Sequence, residues 1–166
     1  MTGKLPFDPI AEAHKQWVAH DWAAAADGMA AVTSIVRAQQ ILFGRIDATL
    51  KPFALSFARY EILMVLTFSS RGSMPMSRLG SRLQVHPASV TSAVERLEGQ
   101  GFVSREPDAE DRRKVLATIT ETGRAIALSA TEALNEHVFT SVGISAGETT
   151  QLISVLEILR RSADDF

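Results

Sequence analysis

Two short helical patterns stand almost end to end in the middle of this 166-residue chain, and the hydrophobic period changes immediately after them. The first, Ser77–Gln84, carries Leu79 and Leu83 four residues apart, on one face of a helix. Only Val85 and His86 separate it from the second. That one opens on Pro87, which suits a first helical turn, and closes at Gly101, which suits the left-handed position just past a helix end. Two helices joined by so short a turn form a helix-turn-helix. From Phe102 the period becomes two, so that 102–106 and 115–120 read as short strands. The eight residues between them, 107–114, are polar apart from Pro107 and Ala109. A hairpin tip this charged projects into solvent or onto a partner.

The rest of the chain is helical in pattern. Pro9–Trp22 reads as one helix with Trp17 and Trp22 as bulky anchors, and Met29–Lys51 as a second, ended by Pro52. Ser56 is placed to cap a third helix ending near Ser69, and residues 70–75 read as a connection. After the hairpin, Thr120 caps a helix to about His137. Ser145 and Glu148 form a capping box for a last helix with Leu152, Val155, Leu156 and Leu159 on one side. The expected fold is therefore mainly α with a small β-hairpin wing: a winged helix-turn-helix flanked by helical elements. The expected layout is an N-terminal extension with an extra helix over 1–28, a helical dimerisation region over 29–55 and 121–166, and a winged helix-turn-helix over 56–120. The terminal helices carry more apolar surface than a monomer would use, which predicts a homodimer.

On a helical wheel of 87–100, Val90, Ala93, Val94 and Leu97 form the buried stripe. Small and polar residues lie opposite, among them Ala88, Thr91, Ser92, Glu95, Arg96 and Gly99. Such a face approaches a flat surface closely, and its hydroxyl and methyl groups suit base edges and phosphates in a major groove of double-stranded DNA. Arg112, Arg113 and Lys114 put three cations at the hairpin tip, where an arginine can enter a narrow minor groove. Asp111 beside them is placed to hold an arginine in one direction by a charge-assisted pair. The candidate DNA-contacting residues are thus Ser77 and Arg78 on the first helix and Pro87, Ala88, Ser89, Thr91, Ser92 and Arg96 on the second. Asp111, Arg112, Arg113 and Lys114 complete the set at the wing.

The overall charge balance gives no hint of this. Seventeen basic residues against nineteen acidic ones leave a net charge of −2. The distribution is uneven, however. Residues 71–114 hold eight basic and six acidic residues, whereas 115–166 hold three and seven. This pattern disfavours indiscriminate polyanion binding and leaves room for binding at matched sites. Other classes are excluded more directly. The chain has no cysteine, so disulfides, thiolate catalysis and thiol-oxidation switches are ruled out. His14, His20, His86 and His137 fit no compact metal-ligand spacing. With no nucleophile–base pair and no glycine-rich phosphate loop, neither an enzyme nor a cofactor is expected. No run approaches the ~20 apolar residues of a membrane span, and the first residues lack an apolar signal region, so a cytoplasmic protein without a membrane partner is expected. The competing reading of the same fold is a winged helix used for protein–protein contact without DNA.

Several short motifs in the right order carry a family resemblance. They are Ser89–Glu98 followed by Gly101-Phe102-Val103, the wing Asp108–Arg113 with its Asp-x-Arg at Asp111 and Arg113, and Ile119, Thr120 and Gly123 after it. Over about residues 29–163 the chain resembles MarR-type winged-helix transcriptional regulators. The resemblance implies an obligate homodimer whose terminal helices interlock. It further implies a repressor of a pseudo-palindromic operator, released when a small molecule, often an aromatic acid, binds between the dimerisation and DNA-binding parts. The extra helix with Trp17 resembles the urate-responsive subgroup, in which Glu61, after Tyr60, matches the acidic pocket residue. Ala93 stands where that subgroup has an arginine, which speaks against urate itself. Trp17, Arg45, Arg59, Tyr60 and Glu61 are the candidate effector-binding residues, with dimer packing the alternative for the tryptophan and a plain surface role for the arginines.

Overall fold

The computed structural model describes residues 5–108, 111 and 113–166. It divides into two compact units, residues 1–45 and 46–166, with the division falling inside one long helix. In the first unit, helix α1 spans Pro9–Ala19, capped by the Asp8 carboxylate, which accepts from the Ile10 amide at 2.9 Å. Helix α2 spans Ala23–Leu50. The expected single helix to Trp22 is interrupted because Asp21 adopts a left-handed conformation, φ 63°. The alanine run 23–26 then restarts the helix earlier than Met29, as expected of the residue with the highest helix propensity. At the break Trp17 meets Trp22 edge-on at 5.4 Å, and His20 stacks on Trp22.

In the second unit the end of α2 runs into a 3₁₀ turn at Lys51–Phe53, then helix α3, Phe57–Phe68, capped by Ser56. Strand β1, Ser73–Pro75, leads directly into helix α4, Met76–Leu83. Helix α5, Pro87–Gly99, follows; its cap is His86, whose ring nitrogen accepts from the Ala88 amide. Strands β2, Val103–Pro107, and β3, Val115–Ile119, form the wing. Helix α6, Glu121–Leu134, is capped by Thr120 and continues into a wider π-helical turn at Asn135–Phe139. Helix α7, Ala146–Ser162, opens on the capping box of Ser145 and Glu148.

The sheet has three strands in the order β1-β3-β2, all antiparallel. Strand β1 corrects the expectation of a plain connection at 70–75. Three residues are too few to show a period, and the pairing of Met74 with Ala117 exists only once β3 is in place. Pro75 is tolerated because β1 is an edge. The wing is thus the outer part of a sheet anchored against the helix-turn-helix.

One apolar core joins α3, α4, α5, α6 and the sheet, with Leu63, Leu66, Leu79, Val94, Leu97 and Leu134 fully buried. The stripe on α5 faces inward as expected: Val90, Val94 and Leu97 are buried and Ala93 is partly so. Its opposite face is left in solvent. By contrast α7 buries no residue, and Val155 and Ile158 are 62% and 67% exposed.

Gly123 sits where α6 begins, against the carbonyl of Phe102, and a Cβ at this position would overlap that carbonyl oxygen. Backbone on both sides leaves nothing flexible to yield. Gly123→Ala is therefore expected to lower stability by about 1–3 kcal/mol or more, the usual cost of forced overpacking, read as a reduced urea midpoint at unchanged m-value.

Candidate nucleic-acid interface

Burial of Val90, Val94 and Leu97 turns Ala88, Ser89, Thr91, Ser92, Glu95 and Arg96 outward, all exposed. Two of the acids on α5 are not open charges. Arg105 on β2 bonds Glu98 through two nitrogens, at 2.6 and 2.8 Å, and reaches Glu95 at 3.4 Å. The hydrogen bond from Arg105, reinforced by its charge, holds the Glu98 carboxyl below the usual carboxylate range. The Arg96 side chain makes no hydrogen bond or ion pair among the described residues. The recognition face therefore carries small hydroxyls and one open cation, with its carboxylates engaged from the wing side.

At the wing tip, Asp111 organises the turn. It accepts from the Arg113 amide and from Arg113 Nε at 3.2 and 3.1 Å, and Lys114 Nζ approaches at 3.5 Å. These hydrogen bonds, from Arg113 first, hold the Asp111 carboxyl below its ordinary value. The expected Asp–Arg pair is present, and the Arg113 side chain is 91% exposed. Arg112 lies outside the described residues. A groove of about 370 Å³ brings Ser77 of α4, Thr91 of α5 and the wing residues Arg113 and Lys114 together, with Arg105. On the other flank of α5, a groove of about 470 Å³ gathers Ala88, Ser89, Ser92 and Arg96 with Ser56 and Arg59 of α3. Pro87 is exposed at the first turn of α5. Arg78 lines a third groove with Arg71 and Arg82, two cations that sequence reasoning missed. For Arg82 the signal was its i, i+4 spacing from Arg78 on α4; Arg71, in the turn before β1, carried none.

Of the candidate effector residues, Trp17 and Arg45 belong to the first unit and Arg59, Tyr60 and Glu61 to the second. Trp17 and Arg45 are each half-buried. Tyr60 is a core residue whose hydroxyl is satisfied by Thr131 at 3.0 Å and whose ring stacks on Phe57. Glu61 is half-buried with no hydrogen bond or ion pair among the described residues, and burial pushes its carboxyl above the ordinary glutamate value. Arg59 turns toward α5: its Nη1 donates to Gln100 Oε1 at 2.9 Å and its Nε to Ser56 Oγ at 3.2 Å.

A family model described as the MarR family matches residues 55–115. A MarR family transcriptional regulator from Streptomyces coelicolor is 47% identical, with a TM-score of 0.77, covering 84% of this chain and 97% of that one. The chain belongs to the MarR family. A second S. coelicolor MarR family regulator, solved in complex with DNA, shares the fold at 24% identity, with a TM-score of 0.72 over 82% of this chain and 88% of that one. So does BpsR of Bordetella bronchiseptica, whose DNA binding is regulated by 6-hydroxynicotinic acid, at 23% identity and a TM-score of 0.68, covering 80% and 91%. Curated relatives in Mycobacterium leprae and Bacillus subtilis are uncharacterised HTH-type transcriptional regulators, 31% to 37% identical; the chain matches 40% to 53% of their length. The winged-helix fold is that of the MarR family, and no helix among the described residues is long and apolar enough to cross a membrane.

The state of Glu61 gives a pH prediction. A raised folded-state value means that the folded protein disfavours the carboxylate, so stability is lost as pH rises from the ordinary glutamate value through the raised one. Glu61→Gln removes that cost. Its Tm should exceed the parent's at neutral pH, and the difference should vanish near about pH 3.5, where both states of the parent are protonated.

Proposed function

We propose that this MarR family member is a sequence-specific transcriptional regulator, acting as a repressor, that binds a pseudo-palindromic double-stranded operator as a homodimer. The observation that carries this reading is the outward face of α5. It is small and polar, its acids are taken up by Arg105, and it is flanked by the exposed Arg113 of the wing. In this reading Ala88 and Thr91 meet base edges, while Ser77, Arg78, Pro87, Ser89, Ser92 and Arg96 follow the phosphates beside them. Asp111 aims Arg113 at the minor groove, and Arg112 and Lys114 add their charge to the contact with DNA.

The unburied face of α7, with Leu152, Val155, Ile158 and Leu159 in solvent, supports pairing of two chains. Contiguous apolar surface of this kind on a single chain marks an interface. Residues 29–55 and 121–166 serve as the dimerisation region, and 56–120 as the DNA-binding part. A dimer spaces its two recognition helices about one DNA turn apart, ~34–36 Å. The protein works in the cytoplasm without catalysing a reaction. Release is by a small molecule, and the ligand chemistry of BpsR favours an aromatic acid. The candidates for that response are Trp17 and Arg45 in the first unit and Arg59, Tyr60 and Glu61 in the second.

Selection from a random duplex pool, followed by anisotropy titration, tests this. The selected sites should be two-fold symmetric, and affinity should fall by several orders of magnitude between about 50 and 200 mM salt. Arg113→Ala should weaken binding by about 1–3 kcal/mol. A pool that yields no enriched site, with the protein running as a monomer on sizing, would overturn the reading.

A further inference from the structure

The groove on the far flank of α5 has an unusual charge content. Arg59 of α3 and Arg96 of α5 line it together with the hydroxyls of Ser56, Ser89 and Ser92, and no carboxylate among the described residues enters it. Neither arginine has an acidic partner among the described residues. The acids nearest Arg96 in sequence, Glu95 and Glu98, are bound to Arg105 instead. Two like charges therefore face one cavity with no carboxylate among the described residues to balance them, and the charge of Arg96 adds to burial in weakening Arg59's hold on its proton.

Arg59 is also held in place. Ser56 Oγ fixes its Nε and Gln100 fixes its Nη1, while Gln100 is itself oriented by donating to the Ala54 carbonyl at 3.0 Å. Two of its five N–H donors are thus used within the chain, and its side-chain order is settled before any ligand arrives. A guanidinium anchored in this way, opposite a second one and beside three hydroxyls, matches a tetrahedral oxyanion such as a phosphodiester. Ala88, Ser89 and Ser92 are small enough to let a backbone come close.

We propose that Arg59 and Arg96, from two different helices, form a single seat for one DNA phosphate on the side of α5 opposite the wing. The proposal rests on the DNA-binding reading above and gives Arg59 a positioning role on DNA in place of an effector contact. Phosphates border the major groove on both sides, and Arg113 with Lys114 stands on one flank of α5 while this seat stands on the other. Together they fix how α5 is turned about its axis in the groove.

The test uses the full chain and its selected operator, with anisotropy titrations over a range of salt and a scrambled duplex alongside. Arg96→Gln, Arg59→Gln, the double variant and Ser92→Asp are compared with the parent, with melting curves reporting folding. Each single variant should lose roughly ten- to a hundredfold in affinity, equally on operator and scrambled duplex, and lower the salt slope by about 2, one phosphate for each protomer of the dimer. The double variant should lose little beyond either single one, because both arginines serve the same phosphate. If Arg59→Gln fails to fold, Arg96→Gln and Ser92→Asp still decide the matter, since both positions are exposed and neither side chain is used inside the protein. Unchanged slopes in these two, or fully additive losses in the double variant, sink the seat while leaving the parent's DNA binding standing. A parent with no affinity for any duplex sinks both readings.

Discussion

One small knot of backbone holds the helix-turn-helix and the wing of this protein in register. Gly101, at φ 75°, turns the chain out of α5 and into β2, and its carbonyl accepts from the Thr120 hydroxyl at 2.8 Å. The Thr120 amide donates to Phe102 O at 3.0 Å, and the same hydroxyl caps α6 by accepting from the Gly123 amide at 2.9 Å. Gly123 lies against the Phe102 carbonyl, where no side chain fits. The end of the recognition helix, the base of both wing strands and the start of α6 thus meet within a few residues. A shift at any of them would move the wing relative to α5. This explains in physical terms why Gly-Phe-Val and Ile-Thr-x-x-Gly serve as signatures: each residue answers a close approach or a backbone angle that others meet poorly.

Electrostatics then decide what the surface so assembled can meet. A chain with an acidic excess presents a usable cationic face because its acids are either elsewhere or engaged. The C-terminal 115–166 carries seven of the nineteen acidic residues against three basic ones. On α5 itself, the bond from Arg105 withdraws Glu98 and draws on Glu95, so that Arg96 has no ion-pair partner among the described residues. Such a face offers a few localised cations rather than a broad basic field.

Much of this was legible in the residues alone. Ser56, Pro87, Gly101, Thr120 and the Ser145–Glu148 box mark their helix ends correctly, because capping and turn chemistry are local and act within three or four residues. The inward stripe of α5 was equally plain from its period. The break at Asp21 was not, since nothing local distinguishes an aspartate in a left-handed turn from one in a helix. Strand β1 was invisible because its only warrant is the ladder to β3, more than forty residues later. The pairing of Arg105 with Glu98, and of Arg59 with Gln100, joins residues whose sequence positions carry no sign of each other.

The division follows the range of the forces involved. Periodicity, caps and glycine positions are written in neighbouring residues, and they settle the order of helices, the turn between α4 and α5, and the existence of a charged wing. Which cations stay open and which are spent is a matter of partners brought together by the core. Arg78, Arg96, Arg105 and Arg59 look alike in the chain. Packing of Val90, Val94 and Leu97 against α3 and α4 sets Arg96 beside Arg59, and pairing of β2 with β3 sets Arg105 against Glu98. Side-chain charges interact over a few ångströms of space regardless of their separation along the chain, so only the tertiary structure could assign these arginines their different roles.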